Sequence, residues 1–187
     1  NKIMINFCLK QEEKNLLKGI IGKKIIKYRH DSLEKFDGEA VYGRVELFFD
    51  DIIVLINYDY EAYPIFGNNV DDHPKFSIKT ITEDEAISAL QDTNQINIRC
   101  EEIINSIVLV EDYANVEWDD KKDDVRILKA IMFKCSNKEL TLQGDYIIPL
   151  IDVFNGENTK EKLTIPGDEF ANDPETKYSA ERLFVEL

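Results

Sequence analysis

Carboxylates are the abundant reactive groups of this sequence, which has 37 Asp and Glu among its 187 residues. They are densest from Glu111 to Asp124, where the chain reads EDYANVEWDDKKDD and includes its only tryptophan, Trp118. Divalent cations such as Ca²⁺ prefer several oxygen ligands, and Trp is enriched at the energetic centres of protein interfaces. The segment is therefore a candidate either for cation binding or for recognition of a partner protein.

The spacing in this segment favours partner recognition over cation binding. It has neither the alternating Asp residues nor the Gly that an EF-hand loop requires. We predict that a partner contacts five residues there: Trp118, Asp119, Asp120, Asp123 and Asp124. The structural alternative is a solvated hairpin loop between two apolar runs, Ile107–Leu109 and Val125–Ile127.

A second cluster of aromatic and acidic residues lies at the end of a predicted strand. It contains Tyr58, Tyr60 and Tyr63, together with Asp59 and Glu61. Strand ends and loops often carry binding residues, and Tyr combines a large ring with a polar group. We predict that the three tyrosines contact the partner. The alternative is that these aromatic residues close the core at a strand end.

The sequence lacks the motifs that would predict catalysis or a bound cofactor. It has no GxSxG, no glycine-rich phosphate loop and no GxGxxG. Cys8, Cys100 and Cys135 are far apart, and so are His30 and His73, so no zinc site is predicted. We expect no catalytic residue, no metal ligand and no cofactor, although carboxylates from distant positions could still meet as a hydrolytic pair.

Charge separates the first thirty residues from the rest of the chain. The formal net charge is −14 and the pI is about 4.6. Residues 1–30 contain eight Lys or Arg and two Glu, a net charge of +6, which leaves −20 for residues 31–187. That body would repel nucleic acids and anionic membranes and attract a basic protein. We therefore expect a basic protein partner, no nucleic acid and no membrane, with the basic segment either binding an anionic surface or pairing with the acidic body.

Hydrophobic periodicity predicts an α+β fold that is mainly antiparallel β, arranged as a sandwich or a barrel with two short helices. Strands are predicted at 24–29, 41–49 and 52–60, the last two joined by an Asp50-Asp51 turn. Residues 61–74 are predicted to be a loop.

The two helices are predicted at 10–18 and from Thr82 to about Asp92. The second begins with a capping box, in which Thr82 and Glu85 satisfy each other's free amides. At the other end of the chain, the pattern of residues 175–187 fits either a strand or a short helix.

The length of the chain suits a single domain, residues 1–187. Within it, residues 20–80 and 98–156 have similar patterns, which suggests the duplication of a strand-meander unit. Each half contains a strand that ends in Asp-Tyr, at Asp59-Tyr60 and Asp145-Tyr146, with a Pro shortly after. The alternative is that hairpins in any Ile-rich chain look alike.

These features together predict a non-catalytic, acidic protein-binding module. The odd number of cysteines and the absence of Asn-x-Ser/Thr favour a cytoplasmic location, and the Ile, Lys and Asn content is typical of a bacterial protein. An immunity or antitoxin-type protein that neutralises a basic toxin fits this description. One alternative is a carboxylate-based hydrolase, with or without a divalent metal. The other is a structural or self-associating domain.

Overall fold

A computed structural model describes residues 3–31, 33–35, 38–64, 70–89, 95–118, 121–145, 149–171 and 174–187. For residues 3, 33–35, 38–42, 61–64, 70–72, 87–89 and 118 it describes the backbone alone. The strands are β1 (Ile3–Phe7), β2 (Lys24–Asp31), β3 (Leu33–Lys35), β4 (Gly38–Tyr42), β5 (Arg44–Phe48), β6 (Ile53–Pro64), β7 (Val70–Ile81), β8 (Gln95–Trp118), β9 (Lys121–Cys135), β10 (Glu139–Asp145), β11 (Leu150–Gly156) and β12 (Lys177–Glu186). The helices are α1 (Gln11–Ile20) and α2 (Glu83–Ala89), with 3-10 turns at Thr159–Lys162 and Asp168–Phe170.

The strands form one continuous sheet in the order β3-β4-β11-β10-β9-β8-β2-β5-β6-β7, with β1 beside β9 and β12 beside β8. Every neighbouring pair is antiparallel except β1 and β9, which are parallel. The prediction of a mainly antiparallel α+β fold is therefore confirmed. Among the described strands the path does not close into a barrel.

Strand β8 divides the sheet into two layers. Its first half, Gln95–Ile103, pairs with β2, and its second half, from Ile104 onward, pairs with β9. The register shifts on both sides of the dividing point, and Glu101 there has a positive φ of 54°. Such a bulge bends a strand, so β8 passes from a layer of β2, β5, β6 and β7 into a layer of β9, β10 and β11.

The main core lies between these two layers. Apolar side chains of both layers share one buried cluster, which includes Leu47, Val54, Ile56, Phe76, Ile107, Leu109, Ile131, Phe133, Leu142 and Ile151. Leu17 and Ile20 of α1 add to it. A strand covered on both faces needs apolar residues at consecutive positions. This explains the apolar run Ile52–Ile56, in which Ile52 is half-buried and the other four residues are buried.

Local signals place both helices close to where the sequence predicts them. Helix α1 runs two residues beyond the predicted range, and its inward residues Leu17 and Ile20 are buried. The amide of Glu85 donates to Thr82 Oγ1 at 3.3 Å, which is half of the predicted capping box. No helix in the described part of the chain is long and apolar enough to cross a membrane.

Two segments differ from the prediction or complete it. The expectation of a loop at 61–74 is wrong for residues 61–64 and 70–74, because β6 continues to Pro64 and β7 begins at Val70. Residues 65–69 lie outside the described residues. The C-terminal segment, left open between helix and strand, forms β12.

Most strands of the two halves proposed to be duplicated lie on opposite sides of the β2–β8 pair, and the exceptions are β3 and β4, which come from the first half but join β11. One half contributes the meander β2-β5-β6-β7 and the other contributes β8-β9-β10-β11. At the junction Lys24 pairs with Ile103 and Ile25 pairs with Glu102. With an offset of 78 positions between the halves, each of these two pairs maps onto the other. The duplication itself stays a prediction.

Candidate functional site

The described residues of the acidic segment Glu111–Asp124, for which a loop was the structural alternative, belong to two paired strands, β8 up to Trp118 and β9 from Lys121. Their register runs without interruption from Glu111 paired with Leu128 to Trp118 paired with Lys121. Strand β12 flanks β8 and strand β1 flanks β9. We call this assembly, β12-β8-β9-β1, the four-stranded end.

One face of the four-stranded end is covered. Ile5, Phe7, Ala114, Val116, Val125 and Ile127 form a separate apolar cluster there, against which Phe170 and Tyr178 pack. The Phe7 ring also stacks on His73 of β7, with ring centroids 4.3 Å apart. This burial explains why an acidic segment forms strands: alternate residues of the segment belong to an apolar cluster.

A buried ion pair holds β12 on this face. Arg182 Nε and Nη2 donate to the two oxygens of Asp112 at 2.7 and 2.9 Å. The side chains of Asp112 and Arg182 are 1% and 10% exposed. Arg182 also donates to the backbone carbonyl of Thr164, which fixes the preceding connection.

The opposite face of the four-stranded end is open and carries a groove of about 430 Å³. One row across the strands consists of Ser179, Asn115, Asp124 and Met4, in register. The next row is Glu181, Tyr113 and Arg126. These side chains line the groove, and Met4 is 58% exposed within it.

Arg126 is already engaged within this groove. Its guanidinium lies over the Tyr113 ring, 4.6 Å from the centroid, and donates to the Tyr113 hydroxyl. The same hydroxyl donates to Glu111 Oε1 at 3.3 Å, and Glu111 is buried. The chain Arg126–Tyr113–Glu111 thus ties the guanidinium of Arg126 to a buried carboxylate. Asp124 and Glu181 also line the groove.

A second cavity of about 250 Å³ continues the groove toward the hairpin turn. It shares Asn115, Asp124 and Ser179 with the larger groove and adds Glu117 and the neighbouring lysines, Lys122 and Lys177. Lys122 Nζ lies 3.6 Å from Glu117 Oε2. The exposed face is therefore a polar surface with charges of both signs.

Of the predicted contact residues in this segment, Asp124 and Asp123 have opposite environments. Asp124 is partly exposed in the groove, whereas Asp123 pairs with Val116 on the covered face and is 4% exposed. Asp123 Oδ2 has no hydrogen-bond partner among the described atoms. Trp118 ends β8, but its side chain, like all of Asp119 and Asp120, lies outside the described residues.

The predicted tyrosines lie on a different hairpin, β6–β7. Tyr58 is 3% exposed and packs on Phe76 at a centroid distance of 4.5 Å. Its ring therefore closes the core, which is the structural alternative for this cluster. Tyr60 is 45% exposed and lines a separate cavity with Asp59. The side chain of Tyr63 lies outside the described residues.

A buried polar cluster fastens the connection between β11 and β12. Lys129 lies where the register between β8 and β9 shifts, and its Nζ is 3.0 Å from both Asp168 Oδ1 and Glu169 Oε1. Burial by itself lowers the pKa of Lys129, but the Glu169 and Asp168 carboxylates raise it more. The described residues contain no group of three or more His, Cys, Asp and Glu arranged to hold a metal ion.

Part of the basic N-terminal segment pairs with the acidic body. Lys23 Nζ lies 2.7 Å from Asp51 Oδ2, and Arg29 Nε lies 2.8 Å from Oε1 of the fully buried Glu46. These two cations are therefore committed within the fold.

Most of the groove was not identified from the sequence. Met4 and Ser179 come from opposite ends of the chain, so only the fold brings them together. One signal was present: Ala114 and Val116 alternate with polar residues such as Asn115, the period-two pattern of a half-buried strand. The many charged residues of the segment made this alternation hard to recognise.

Comparison with protein-family models, with curated proteins and with solved structures finds no match to this chain.

Proposed function

We propose that this protein is a non-catalytic binding module whose four-stranded end receives a basic protein. The observation that carries the proposal is the open groove on an ordered sheet face, with Asp124 and Glu181 on its wall. Concave surfaces with a few placed polar groups are the common form of binding sites. A rigid strand scaffold also costs little ordering entropy when a partner binds.

Charge supports a basic partner over an acidic one. The chain carries −14 overall, and Arg126, the cation that lines the larger groove, is held against Tyr113. A protein of that net charge attracts a basic protein over long distances and raises its association rate. In a bacterial cytoplasm such a protein would fit the role of an immunity or antitoxin-type inhibitor of a basic toxin.

The proposal is tested by capture followed by kinetics. The tagged protein is incubated with native lysate, retained proteins are identified after low-salt and high-salt washes, and the association rate of a retained basic protein is measured. The double variant Asp124→Asn/Glu181→Gln is expected to slow association. The matched control Asp50→Asn/Glu157→Gln removes the same charge from exposed positions outside the groove.

Two outcomes would count against the proposal. Retained proteins that are acidic or neutral would contradict the charge argument. Equal slowing by the groove variant and the control would show that net charge alone matters and that the groove is not the binding surface.

A further inference from the structure

Strand β12 is a long edge strand without a Pro, a Gly or a bulge to interrupt further pairing. It pairs with β8 over ten consecutive positions without a register shift. Among the described strands none lies on its other side. Charged side chains also protect edge strands, but the stretch Leu183–Val185 near the end of β12 has none.

The backbone groups available at this edge follow from one hydrogen bond. The amide of Leu187 donates to the carbonyl of Ile107 at 3.0 Å, so Leu187 faces β8. Because strand residues alternate in direction, the odd-numbered residues of β12 face β8. The even-numbered residues, among them Arg182, Phe184 and Glu186, direct their N–H and C=O groups away from β8.

Apolar side chains are exposed at the same place. Leu183 is 45% exposed and Phe184 is 41% exposed, on the two faces of the strand. Val185 follows them, so the edge carries a three-residue apolar segment centred on Phe184. A strand added beside β12 would place its own side chains next to Leu183 on one face and next to Phe184 on the other.

We propose that the free edge of β12 pairs antiparallel with the same edge of a second copy of this chain, centred on Phe184. A twofold axis perpendicular to the sheet keeps each face on the same side and pairs residues of equal parity. Centring on Phe184 sets Phe184 opposite its own copy and Leu183 opposite Val185 of the other copy. Glu186 then lies across from Arg182 of the other copy, so this register sets no like charges directly opposite each other.

A register centred on Glu181 is less favourable, because it sets two carboxylates opposite each other. Like charges directly across a strand pair are destabilising. The register about Phe184 avoids this repulsion and places the exposed apolar residues beside one another.

Self-association and the proposed basic partner respond to salt in opposite directions. Two chains of charge −14 repel each other, so salt that screens this repulsion strengthens the pairing of two copies. The same salt weakens the attraction of a basic protein. Either proposal, self-association or binding of a basic partner, can therefore fail without the other.

The experiment is sedimentation velocity of the full chain over a wide concentration range at low and high salt. A short edge pairing buries little area, so we expect a reversible monomer–dimer equilibrium that shifts toward dimer as salt rises. Phe184→Pro removes an amide that faces away from β8, a position where an edge strand tolerates Pro. It should weaken dimerisation at least about tenfold.

Cysteine substitution tests the register without depending on that variant. Residue 184 lies on the proposed axis with a Cα–Cα distance of about 5.5 Å to its copy, within disulfide range. Phe184→Cys should therefore form a covalent dimer under mild oxidation, and Leu183→Cys, which is off the axis, should do so much less. A chain that stays monomeric at every concentration and salt, or that crosslinks equally at both positions, would overturn the proposal.

Discussion

Arg182 and Asp112, 70 positions apart in the sequence, form a bidentate ion pair between β12 and β8. Asp112 is buried on the covered face of the four-stranded end, next to an apolar cluster. An acidic residue can occupy that position because a cation from the last strand neutralises it. The pair therefore links the acidic composition of the hairpin to its structure.

Removing the cation should be costly. Arg182→Met leaves the Asp112 carboxylate buried without its partner, and we expect a loss of about 3–5 kcal/mol in the free energy of unfolding. Urea unfolding followed by circular dichroism measures it. The control is Lys122→Met, which removes an exposed pair with Glu117 and should cost less than about 1 kcal/mol. Equal losses in both variants would mean that the buried pair does not hold β12.

A close approach at Gly144 makes a second prediction. A Cβ added there would lie 2.7 Å from the Tyr58 hydroxyl oxygen and closer still to its ring. Because Tyr58 is buried, Gly144→Ala should destabilise the fold by about 1–3 kcal/mol. Gly19→Ala, in helix α1 with nothing within 4 Å of the added carbon, should instead stabilise it by about 0.5–1 kcal/mol. Thermal melts of both variants provide the comparison, and a neutral Gly144→Ala would contradict the packing.

The Lys129 cluster predicts how stability changes at high pH. The pKa of Lys129 is raised in the folded chain above the ordinary value of 10.5. A raised lysine pKa contributes stability that is present below pH 10.5 and is lost as pH rises through the folded pKa. The difference in unfolding free energy between the wild type and Lys129→Met should therefore be constant up to about pH 10 and shrink above it. A difference that grows with pH would contradict the ion pairs with Asp168 and Glu169.

The three thiols should react slowly in the folded chain. Burial, assisted by Glu111, raises the pKa of Cys8 to about 12, and burial with the neighbouring Cys100 raises that of Cys135 to about 12. The thiolate is the nucleophile, and the thiolate fraction of Cys8 and of Cys135 at pH 8 is about a thousandfold lower than that of a thiol with an ordinary pKa. Iodoacetamide labelling followed by intact-mass measurement should show full modification in denaturant and little under native conditions. Rapid native labelling of Cys8 would contradict its burial.

Local signals explain why much of the fold was predictable. The Asp50-Asp51 turn joins β5 and β6 as expected, and Thr82 precedes α2. Each feature depends on residues a few positions apart, which a sequence displays directly. The apolar run Ile53–Ile56 likewise marks a covered strand by itself.

The candidate site depended on distant residues and was only partly predictable. The sequence marks the segment Glu111–Asp124 by its charge, but the conformation of this segment depends on Arg182 and on strand β1, far away in sequence. The bend of β8 at Glu101 has no local signature such as Gly or Pro. For this reason the sequence indicated an acidic region but not the groove on its open face.

The most direct test of the central claim is the association rate of the captured basic partner, measured at increasing salt for the wild type and for Asp124→Asn/Glu181→Gln. We predict that the wild-type rate falls by about tenfold or more from low to high salt, and that the groove variant associates more slowly and with a weaker salt dependence. An association rate that is independent of salt, or unchanged in the variant, would contradict a groove that receives a basic protein.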